Sequence, residues 1–318
     1  YMKNKITLIT GAAGFIGFHT SLNLLKKGKK VIGIDNLNNY YLPRIKKNRL
    51  KILSKFNNFK FYKKDITNYK TVEKIFDKSS ITTVINLAAQ AGVAYSLTNP
   101  KKYFLTNSLG FFNICLIAKK YNIKKVLFAS SSSVYGDNQN LPVKESYELN
   151  PLSYYAITKQ NNEQTAKFFS TISKTKYVGL RFFSVYGLYG RPDMIIYKLI
   201  SSFKKKKTFY LNNFGEHKRD FTHVDDVMKI INRLVNKNLK NNYDIFNICS
   251  SKPVSLKKII QIFKKNKILP KLKLRGFQKG DIKDAYGSNN KINNIIKIRF
   301  KNFEKSINEI INFEKKIK

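Results

Sequence analysis

Thr10-Gly11-Ala12-Ala13-Gly14-Phe15-Ile16-Gly17 follows a short apolar segment and precedes a helix-length amphipathic stretch. Glycines at this spacing let the backbone approach the pyrophosphate of a dinucleotide, which is held at the N-terminus of the helix that follows. The stretch therefore predicts a dinucleotide-binding turn, with Gly11, Gly14, Phe15, Ile16 and Gly17 against the cofactor. A glycine-rich turn that binds no ligand is the alternative.

Asp35 weakens that alternative. It ends the second predicted strand, eighteen residues after Gly17. A carboxylate at this position suits the ribose hydroxyls of NAD and repels the additional phosphate of NADP. NAD is therefore the predicted cofactor, with Asp35 and its neighbour Asn36 among its contacts.

Two later strand ends are predicted to complete the cofactor site. Asp65, followed by Ile66, ends the third strand and is the natural partner for the edge of the adenine, although a strand-end Asp is about as often a turn former or helix cap. Leu87, Ala88 and Ala89 follow the fourth strand and are predicted to contact the cofactor as well.

Apolar, β-rich segments alternate with amphipathic stretches of helical length over most of the chain. The predicted strands are 5–10, 31–34, 59–62, 82–87, 125–130, 176–182 and 244–249. The predicted helices are 18–27, 44–54, 69–77, 101–121, 154–173 and 255–265, the last with Ser255 as its N-cap.

This alternation predicts an α/β fold, a Rossmann-type doubly wound parallel sheet with a smaller C-terminal substrate-binding lobe. We expect residues 1–182, together with about 223–250, to form the NAD-binding domain. Residues 183–318 are expected to form mainly the substrate-binding lobe, because polar segments with Gly and Pro replace the strict alternation there.

The net charge of +42 over 318 residues raises the possibility of nucleic-acid binding. The lysines, however, are spread along the whole chain and accompany many Asn, Ile, Phe and Tyr residues, as an A·T-rich genome would produce. Because no nucleic-acid-binding signature accompanies the charge, we expect no nucleic-acid partner.

The sequence also argues against membrane and metal sites. It has no run of eighteen apolar residues and no signal-peptide layout, which predicts a soluble, cytoplasmic protein. The two cysteines, Cys115 and Cys249, and the three histidines lack metal-ligand spacing, so no metal is predicted.

Several motifs together resemble those of the extended short-chain dehydrogenase/reductases, and most closely the UDP-glucuronate 4-epimerases. These motifs are the glycine turn at 11–17, Tyr155-Ala-Ile-Thr-Lys159, Asn36-Leu-Asn-Asn-Tyr-Tyr41, Asn86-Leu-Ala-Ala-Gln-Ala-Gly92, Ser130-Ser-Ser-Ser-Val-Tyr-Gly136, Arg181-Phe-Phe-Ser-Val-Tyr-Gly187, Gly190-Arg-Pro-Asp-Met194, Arg219-Asp-Phe-Thr-His-Val-Asp-Asp226 and Gln278-Lys-Gly-Asp281. The resemblance covers nearly the whole chain.

The resemblance implies that Tyr155, Lys159 and Ser131 are catalytic. Tyr155 and Lys159 are four residues apart and so share one face of a helix. A tyrosine with its ordinary pKa of about 10 is a poor base at neutral pH. The Lys159 ammonium and the positive nicotinamide ring would favour the phenolate form of Tyr155 and so make it a better base. A surface Tyr and Lys on an amphipathic helix is the alternative.

Ser132 and Ser133 narrow the reaction. The sugar-nucleotide dehydratases of the family carry Asp-Glu at these positions, and the UDP-glucuronate decarboxylases carry Glu at the second. Without such an acid the chain has no obvious agent for proton transfer at C5 or C6. The resemblance then implies epimerisation of a UDP-sugar at C4 through a transient 4-keto intermediate. The subgroup that the motifs match best converts UDP-glucuronate to UDP-galacturonate, which is therefore the expected reaction.

The resemblance also implies the substrate contacts. Arg191 is the predicted partner of the sugar carboxylate, because a guanidinium binds a carboxylate bidentately; pairing with Asp193 to close a turn is the alternative. Arg219 is expected on a phosphate. The remaining expected contacts are Ser131 and Ser132 with the sugar, Ser184 and Asp281 near the nucleotide, and Asn107 on the cofactor or sugar side, or simply on a helix surface.

Two departures from the subgroup leave the substrate open. Ala94 stands where Arg is usual, and Gly287-Ser288 stands where Ala-Asp is common. An epimerase of neutral UDP-glucose or UDP-N-acetylglucosamine is therefore the first alternative, and a non-catalytic Rossmann protein that binds RNA is a distant one. The resemblance further implies a homodimer built on helices 101–121 and 154–173, and a role in polysaccharide precursor supply.

Overall fold

The computed structural model describes residues 5–276 and 282–316. The strands in this part are, in chain order, β1 Ile6–Thr10, β2 Lys30–Asp35, β3 Phe59–Lys63, β4 Ile81–Asn86, β5 Lys125–Ser131, β6 Lys176–Phe182, β7 Ser184–Tyr186, β8 Phe209–Leu211, β9 Lys218–His223, β10 Tyr243–Ile248, β11 Pro253–Ser255, β12 Leu272–Leu274 and β13 Asp284–Ala285.

The helices of the same residues are likewise numbered in chain order. They are α1 Phe15–Lys26, α2 Pro43–Leu53, α3 Tyr69–Asp77, α4 Val93–Thr98, α5 Pro100–Tyr103, α6 Gly110–Lys120, α7 Tyr154–Thr171, α8 Ile195–Lys204, α9 Val224–Asn236, α10 Leu256–Lys265, α11 Asn290–Ile295 and α12 Phe303–Lys316. A π-helical turn covers Phe104–Leu109, and 3₁₀ turns cover Ser132–Tyr135 and Asn212–Gly215.

Seven strands form a parallel sheet in the order β10-β6-β5-β4-β1-β2-β3. Leu8 of β1 pairs in register with Ile32 of β2 on one side and with Val84 of β4 on the other. The central strands are buried along most of their length, as expected for a parallel sheet covered on both faces, whereas no residue of the edge strand β3 is fully buried. The predicted Rossmann-type fold is confirmed, and every predicted strand lies within one residue of an observed one.

The sheet belongs to the first of two units, which contains residues 5–136, Glu148–Arg181 and Met228–Phe246. Its core joins the strands to the inner faces of α3, α6 and α7. Phe111 and Phe128 lie 5.0 Å apart between ring centroids in this core, both almost fully buried. Burial of each such aromatic side chain adds about 1.5–3 kcal/mol to the free energy of unfolding.

The second unit contains Asp137–Tyr147, Phe182–Val227 and, of the C-terminal part, 247–276 and 282–316. Its sheet is built around β9, which pairs with β7, β11 and β13, while β8 pairs with β12. The core packs this sheet against α8, α10 and α12, with Leu199, Phe263 and Ile310 fully buried. As predicted, Ser255 caps α10 by accepting a hydrogen bond from the Lys258 amide.

Two of the six predicted helices differ from the prediction, and the structure adds, in the part of the chain that it describes, five that were not predicted, namely α4, α8, α9, α11 and α12. α1 begins at Phe15 rather than 18, directly after the glycine turn. The helix predicted over 101–121 is interrupted by the π-helical turn between α5 and α6, where Asn107 is buried and its side chain is hydrogen-bonded inside the protein. Within the described residues, no helix has both the length and the apolar character needed to cross a membrane.

Candidate active site

The glycine turn closes tightly between β1 and α1. Gly11 has a φ of +68°, and a Cβ placed on it would lie 2.7 Å from the Ala88 amide nitrogen. A Cβ on Gly17 would lie 2.0 Å from the Gly11 carbonyl oxygen. Glycine is therefore required by the backbone conformation at the first position and by the close approach at the second.

The N-terminus of α1 is open to an anion. Gly14 occupies the N-cap without a side-chain hydrogen bond, and the first turn of this fully described helix contains no acidic residue. The first amide groups of a helix have no partner within the helix, and the helix dipole favours negative charge there. The turn is thus suited to hold a pyrophosphate.

Asp35 lies at the carboxyl end of β2, buried and fixed by two backbone amides. Its carboxylate accepts hydrogen bonds from Ala13 of the glycine turn at 3.1 Å and from Leu37 at 2.8 Å. Lys46 of α2 places its ammonium 3.8 Å from the same carboxylate. Asp35 is therefore held beside the glycine turn, where the predicted contact with the ribose requires it.

Two basic residues of α2 were missed by the sequence reasoning. Lys46 donates to Asn38 at 2.9 Å, and Arg49 donates to the Ala13 carbonyl at 3.0 Å and to Tyr41 at 2.8 Å. Burial lowers the pKa of Lys46; the nearby Asp35 carboxylate opposes this effect, and the Arg49 charge adds to it more weakly. The sequence spacing of Lys46, Arg49 and Leu53 could have indicated their burial, because residues three and four apart lie on one face of a helix, here the buried face of α2.

Asp65 follows β3 and forms a turn, which was the alternative stated for it. It accepts hydrogen bonds from the amide and hydroxyl of Thr67, at 2.9 and 2.8 Å, and from the Asn36 side chain at 2.7 Å. Burial alone would raise the pKa of Asp65, but these hydrogen bonds outweigh it and lower the pKa. Asn36 and Asp65 are thus brought together, and Ile66 packs beneath Gly110 of α6.

The segment after β4 lies against the glycine turn. The Thr10 hydroxyl donates to Asn86 at 2.7 Å and accepts from the Ala88 amide at 3.1 Å, and the Leu87 amide donates to the Thr10 carbonyl at 3.2 Å. Ala89, half-buried, follows directly. These hydrogen bonds join the carboxyl ends of β1 and β4.

The residues present fit NAD. The narrow glycine turn, the open N-terminus of α1, Asp35 and the 86–89 segment all lie at the carboxyl ends of neighbouring parallel strands, where sheets of this type bind dinucleotides. Gly11, Gly14 and Gly17 would hold the pyrophosphate, and Asp35 would hold the ribose.

Tyr155 and Lys159 lie in the first turns of α7, as predicted. The Lys159 ammonium donates to the Ala129 carbonyl at 2.9 Å and lies 5.8 Å from the centroid of the Tyr155 ring. Lys159 is only 2% exposed, and this burial lowers its pKa to about 8. The pair is not a surface Tyr and Lys, because a buried ammonium faces the ring of a half-buried Tyr155.

Ser131 ends β5 and caps the 3₁₀ turn that follows. Its buried hydroxyl accepts from the Ser133 amide at 3.2 Å and lies 3.1 Å from the Ser133 hydroxyl. Ser132 begins the turn and is half-buried. Ser131 thus stands at the carboxyl end of the strand next to β4.

Asn107 is not a surface residue of its helix. It is 1% exposed, accepts from the Gln90 amide at 2.8 Å and donates to the Gln90 carbonyl and the Thr158 hydroxyl. Interruptions of this π-helical kind often occur at functional sites. Here the turn lets Asn107 connect the segment after β4 to α7, three residues from Tyr155.

Tyr103 is a further residue that the sequence reasoning missed. Its fully buried hydroxyl donates to the carbonyls of Ala91 and Gly92, and its ring lies edge-on to Tyr155 at 6.1 Å. It therefore restricts the Tyr155 ring from one side.

The predicted substrate contacts Ser184, Arg191 and Arg219 belong to the second unit. Arg191 forms a two-pronged ion pair with Asp193, with Nε 2.9 Å from one carboxylate oxygen. This is the turn-closing pair stated as the alternative. Arg219 on β9 donates to the carbonyls of Lys218, Ile282 and Lys283.

Ser184 begins β7, which pairs with β9 so that Ser184 is opposite Phe221, two residues along from Arg219. These two residues are thus on adjacent strands. Asp281, the remaining predicted contact, lies outside the described residues.

The fold and the glycine turn define a dinucleotide-binding protein of the Rossmann type. Residues 7–249 match the model of the NAD-dependent epimerase/dehydratase family, and the chain belongs to that family. The predicted family and the predicted cofactor, NAD, are confirmed.

Relatives agree with the predicted subgroup. A UDP-glucuronate 4-epimerase of Thermodesulfobacterium geofontis is 38% identical over 91% of this chain and 89% of its own length. The crystal structure of the Bacillus cereus UDP-glucuronic acid 4-epimerase, in complex with UDP-glucuronic acid and NAD, has a TM-score of 0.92 at 26% identity, covering 98% of this chain and all of the other. A UDP-N-acetylglucosamine 4-epimerase of Methanobrevibacter ruminantium has a TM-score of 0.89 at 28% identity over the full length of both chains.

Replacing Gly17 with Ala tests the turn. Because the new Cβ would lie 2.0 Å from a backbone oxygen, the turn must open, and the Kd for NAD should rise about ten-fold or more, as titration calorimetry would measure. Gly276→Ala is the control, since nothing lies within 4 Å of a Cβ there. Unchanged NAD affinity in a folded Gly17→Ala protein would contradict the assignment.

The pKa of Lys159 predicts the pH dependence. As pH rises through about 8 the buried ammonium is lost, so kcat/KM for the sugar nucleotide should decline above that pH. Lys159→Arg, which stays charged, should weaken this decline at a lower overall rate. Between about pH 8 and 10.5 the unfolded chain keeps the Lys159 proton while the folded chain releases it. Lys159 therefore makes the free energy of unfolding increase with pH over the same range in which activity declines. A flat wild-type profile up to pH 10 would refute the role.

Proposed function

We propose that the chain is a NAD-dependent UDP-glucuronate 4-epimerase, which converts UDP-glucuronate to UDP-galacturonate through a 4-keto intermediate. The observation that carries the proposal is the buried Lys159 ammonium, bound to the Ala129 carbonyl and facing the Tyr155 ring beside a site that fits NAD. The relatives that carry this activity in their names support the substrate.

Tyr155 takes the proton of the sugar 4-hydroxyl and later returns it. Bound NAD supplies reversible oxidation at C4. Lys159 stabilises the phenolate, because an ammonium close to the ring favours the charged form. Ser131 donates a hydrogen bond to the reacting oxygen. The sugar turns over between the two proton transfers, so that C4 is inverted without net oxidation.

The residues after Ser131 restrict the reaction to C4. Ser132 and Ser133 carry hydroxyls rather than carboxylates, and Ser133 is hydrogen-bonded to Ser131 within the 3₁₀ turn. Neither can act as the carboxylic acid or carboxylate that removal of a proton from C5 would require.

Arg191 is proposed to hold the sugar carboxylate. The 4-keto form of a uronic acid is a β-keto acid and loses carbon dioxide unless the carboxylate is kept in an unsuitable orientation. Asp193 fixes the Arg191 guanidinium in one plane, and a guanidinium with five N–H donors can serve more than one carboxylate. Ser184, Arg219 and Asp281 are proposed contacts of the nucleotide half.

An epimerase of a neutral UDP-sugar is the second candidate. Arg191 already has a carboxylate partner in Asp193, and a UDP-N-acetylglucosamine 4-epimerase shares the fold along the full length of the chain. The two candidates share Tyr155, Lys159 and Ser131 and differ only in how the group at C6 is recognised.

We further propose that the protein acts as a cytoplasmic homodimer that supplies polysaccharide precursors. Apolar side chains remain exposed along the π-helical turn, α6 and α7, among them Leu109, Phe112, Ile157 and Phe168. An exposed apolar stripe of this kind is typical of an interface, and the resemblance implies a dimer contact on the same helices.

Purified protein incubated separately with UDP-glucuronate, UDP-glucose and UDP-N-acetylglucosamine tests the reaction. NMR of the anomeric protons should show the C4 epimer of UDP-glucuronate alone, and Tyr155→Phe should reduce kcat at least about 100-fold while NAD still binds. Conversion of a neutral sugar alone would favour the second candidate. Unchanged turnover by Tyr155→Phe would rule out its role as the base.

Arg191→Gln tests recognition of the carboxylate. Loss of a charged, two-pronged contact with the sugar carboxylate should lower kcat/KM for UDP-glucuronate about 10- to 100-fold. The 4-keto intermediate should also lose carbon dioxide, which gives a UDP-4-keto-pentose. Arg275→Gln is the matched control, because Arg275 stacks on Tyr210 and is not among the proposed substrate contacts. If both variants convert UDP-glucuronate equally well, Arg191 only closes its turn.

A further inference from the structure

A buried ion pair lies behind the catalytic residues and takes no part in the proposed chemistry. Glu163 of α7 and Arg181 of β6 are joined by two hydrogen bonds, Nε to Oε1 at 2.9 Å and Nη2 to Oε2 at 2.7 Å. Their side chains are only 3% and 5% exposed. A buried ion pair is seldom more stabilising than apolar residues of the same volume, so its presence raises the question of what it specifies.

The Glu163–Arg181 pair is hydrogen-bonded to both ends of the segment 130–135, which contains Ser131. At one end the Ser130 hydroxyl donates to Glu163 at 2.5 Å. At the other end Arg181 donates to the Tyr135 hydroxyl at 2.7 Å, with its guanidinium 4.8 Å from the centre of the Tyr135 ring. Ser131 and its 3₁₀ turn lie between these two points, so a displacement at either end is resisted by the same pair.

The same pair fixes this segment to the helix of the catalytic tyrosine. Tyr155, Lys159 and Glu163 follow at intervals of four and therefore share one face of α7. Lys159 binds the carbonyl of Ala129 and Glu163 binds the hydroxyl of Ser130, so two successive turns of the helix hold two successive residues of β5.

We propose that Glu163 and Arg181 are positioning residues, which hold Ser131 at a fixed distance and angle from Tyr155 through Ser130 and Tyr135. This inference rests on the proposed function for the role of Ser131. The pair does not touch the substrate; it keeps the hydrogen-bond donor and the base in one geometry, because a misplacement of about 1 Å can reduce a rate about 100-fold.

Single hydroxyl deletions test the proposal without leaving a buried charge unpaired. Ser130→Ala and Tyr135→Phe should each lower kcat for the epimerised sugar about five- to twenty-fold and leave KM within about two-fold, since only the reacting geometry changes. In the double variant the losses should not multiply, because both hydroxyls act through one pair. Ser306→Ala is the matched control: Ser306 is as buried as Ser130, at 2% exposure, and lies on α12 of the second unit.

Amide hydrogen exchange separates this inference from the proposed function. Exchange in residues 130–136 should become faster in Ser130→Ala and Tyr135→Phe and stay unchanged in Ser306→Ala, whatever the substrate proves to be. Turnover of UDP-glucuronate by the wild type decides the proposed function by itself. Unchanged exchange in residues 130–136, or a fall in stability with kcat intact, would overturn the positioning role.

Discussion

The site depends on keeping an ammonium charged where water is nearly excluded. Burial of Lys159 lowers its pKa to about 8, and the carbonyl of Ala129 is the acceptor that offsets part of the lost hydration. That hydrogen bond, together with the one from the Ser130 hydroxyl to Glu163, also joins α7 to the end of β5. Because Tyr155 lies one turn before Lys159 on the same helix, the position of the proposed base follows from the position of the ammonium.

The parallel sheet supplies the frame for this arrangement. Its carboxyl ends present the glycine turn, Asp35, the segment after Asn86 and Ser131 along one edge, and short hydrogen bonds join neighbours along that edge. The Glu163–Arg181 pair and the π-helical turn at Asn107 then attach α7 and the segment after β4 to the same frame. The residues proposed for cofactor contacts and proton transfer thus belong to one unit, and those proposed for sugar and phosphate contacts belong to the other.

Local patterns predicted much of this. Apolar, β-rich segments predicted all seven strands of the sheet within one residue, and the glycine spacing together with Asp35 predicted NAD. Tyr155 and Lys159 could be paired because helical spacing alone places them on one face. These features depend on residues close in sequence, which is why periodicity and spacing were sufficient.

The remaining features depend on contacts between distant segments. Lys46 and Arg49, which the sequence analysis did not single out, are buried where α2 lies against the glycine turn, and Arg49 binds the Ala13 carbonyl there. No spacing rule indicated that Asn107 would lie in a π-helical interruption of its helix and reach Gln90 and Thr158. Such pairings appear only when the tertiary fold brings the partners together.

The most direct test of the central claim is to follow UDP-glucuronate labelled with deuterium at C4 through turnover in ordinary water. If oxidation and reduction occur at C4 within one closed site, the UDP-galacturonate formed should keep its deuterium at C4 and gain none of the solvent hydrogen there. Loss of the label to solvent, or exchange at C5 in its place, would contradict the assignment of Tyr155 and Lys159 to chemistry at C4.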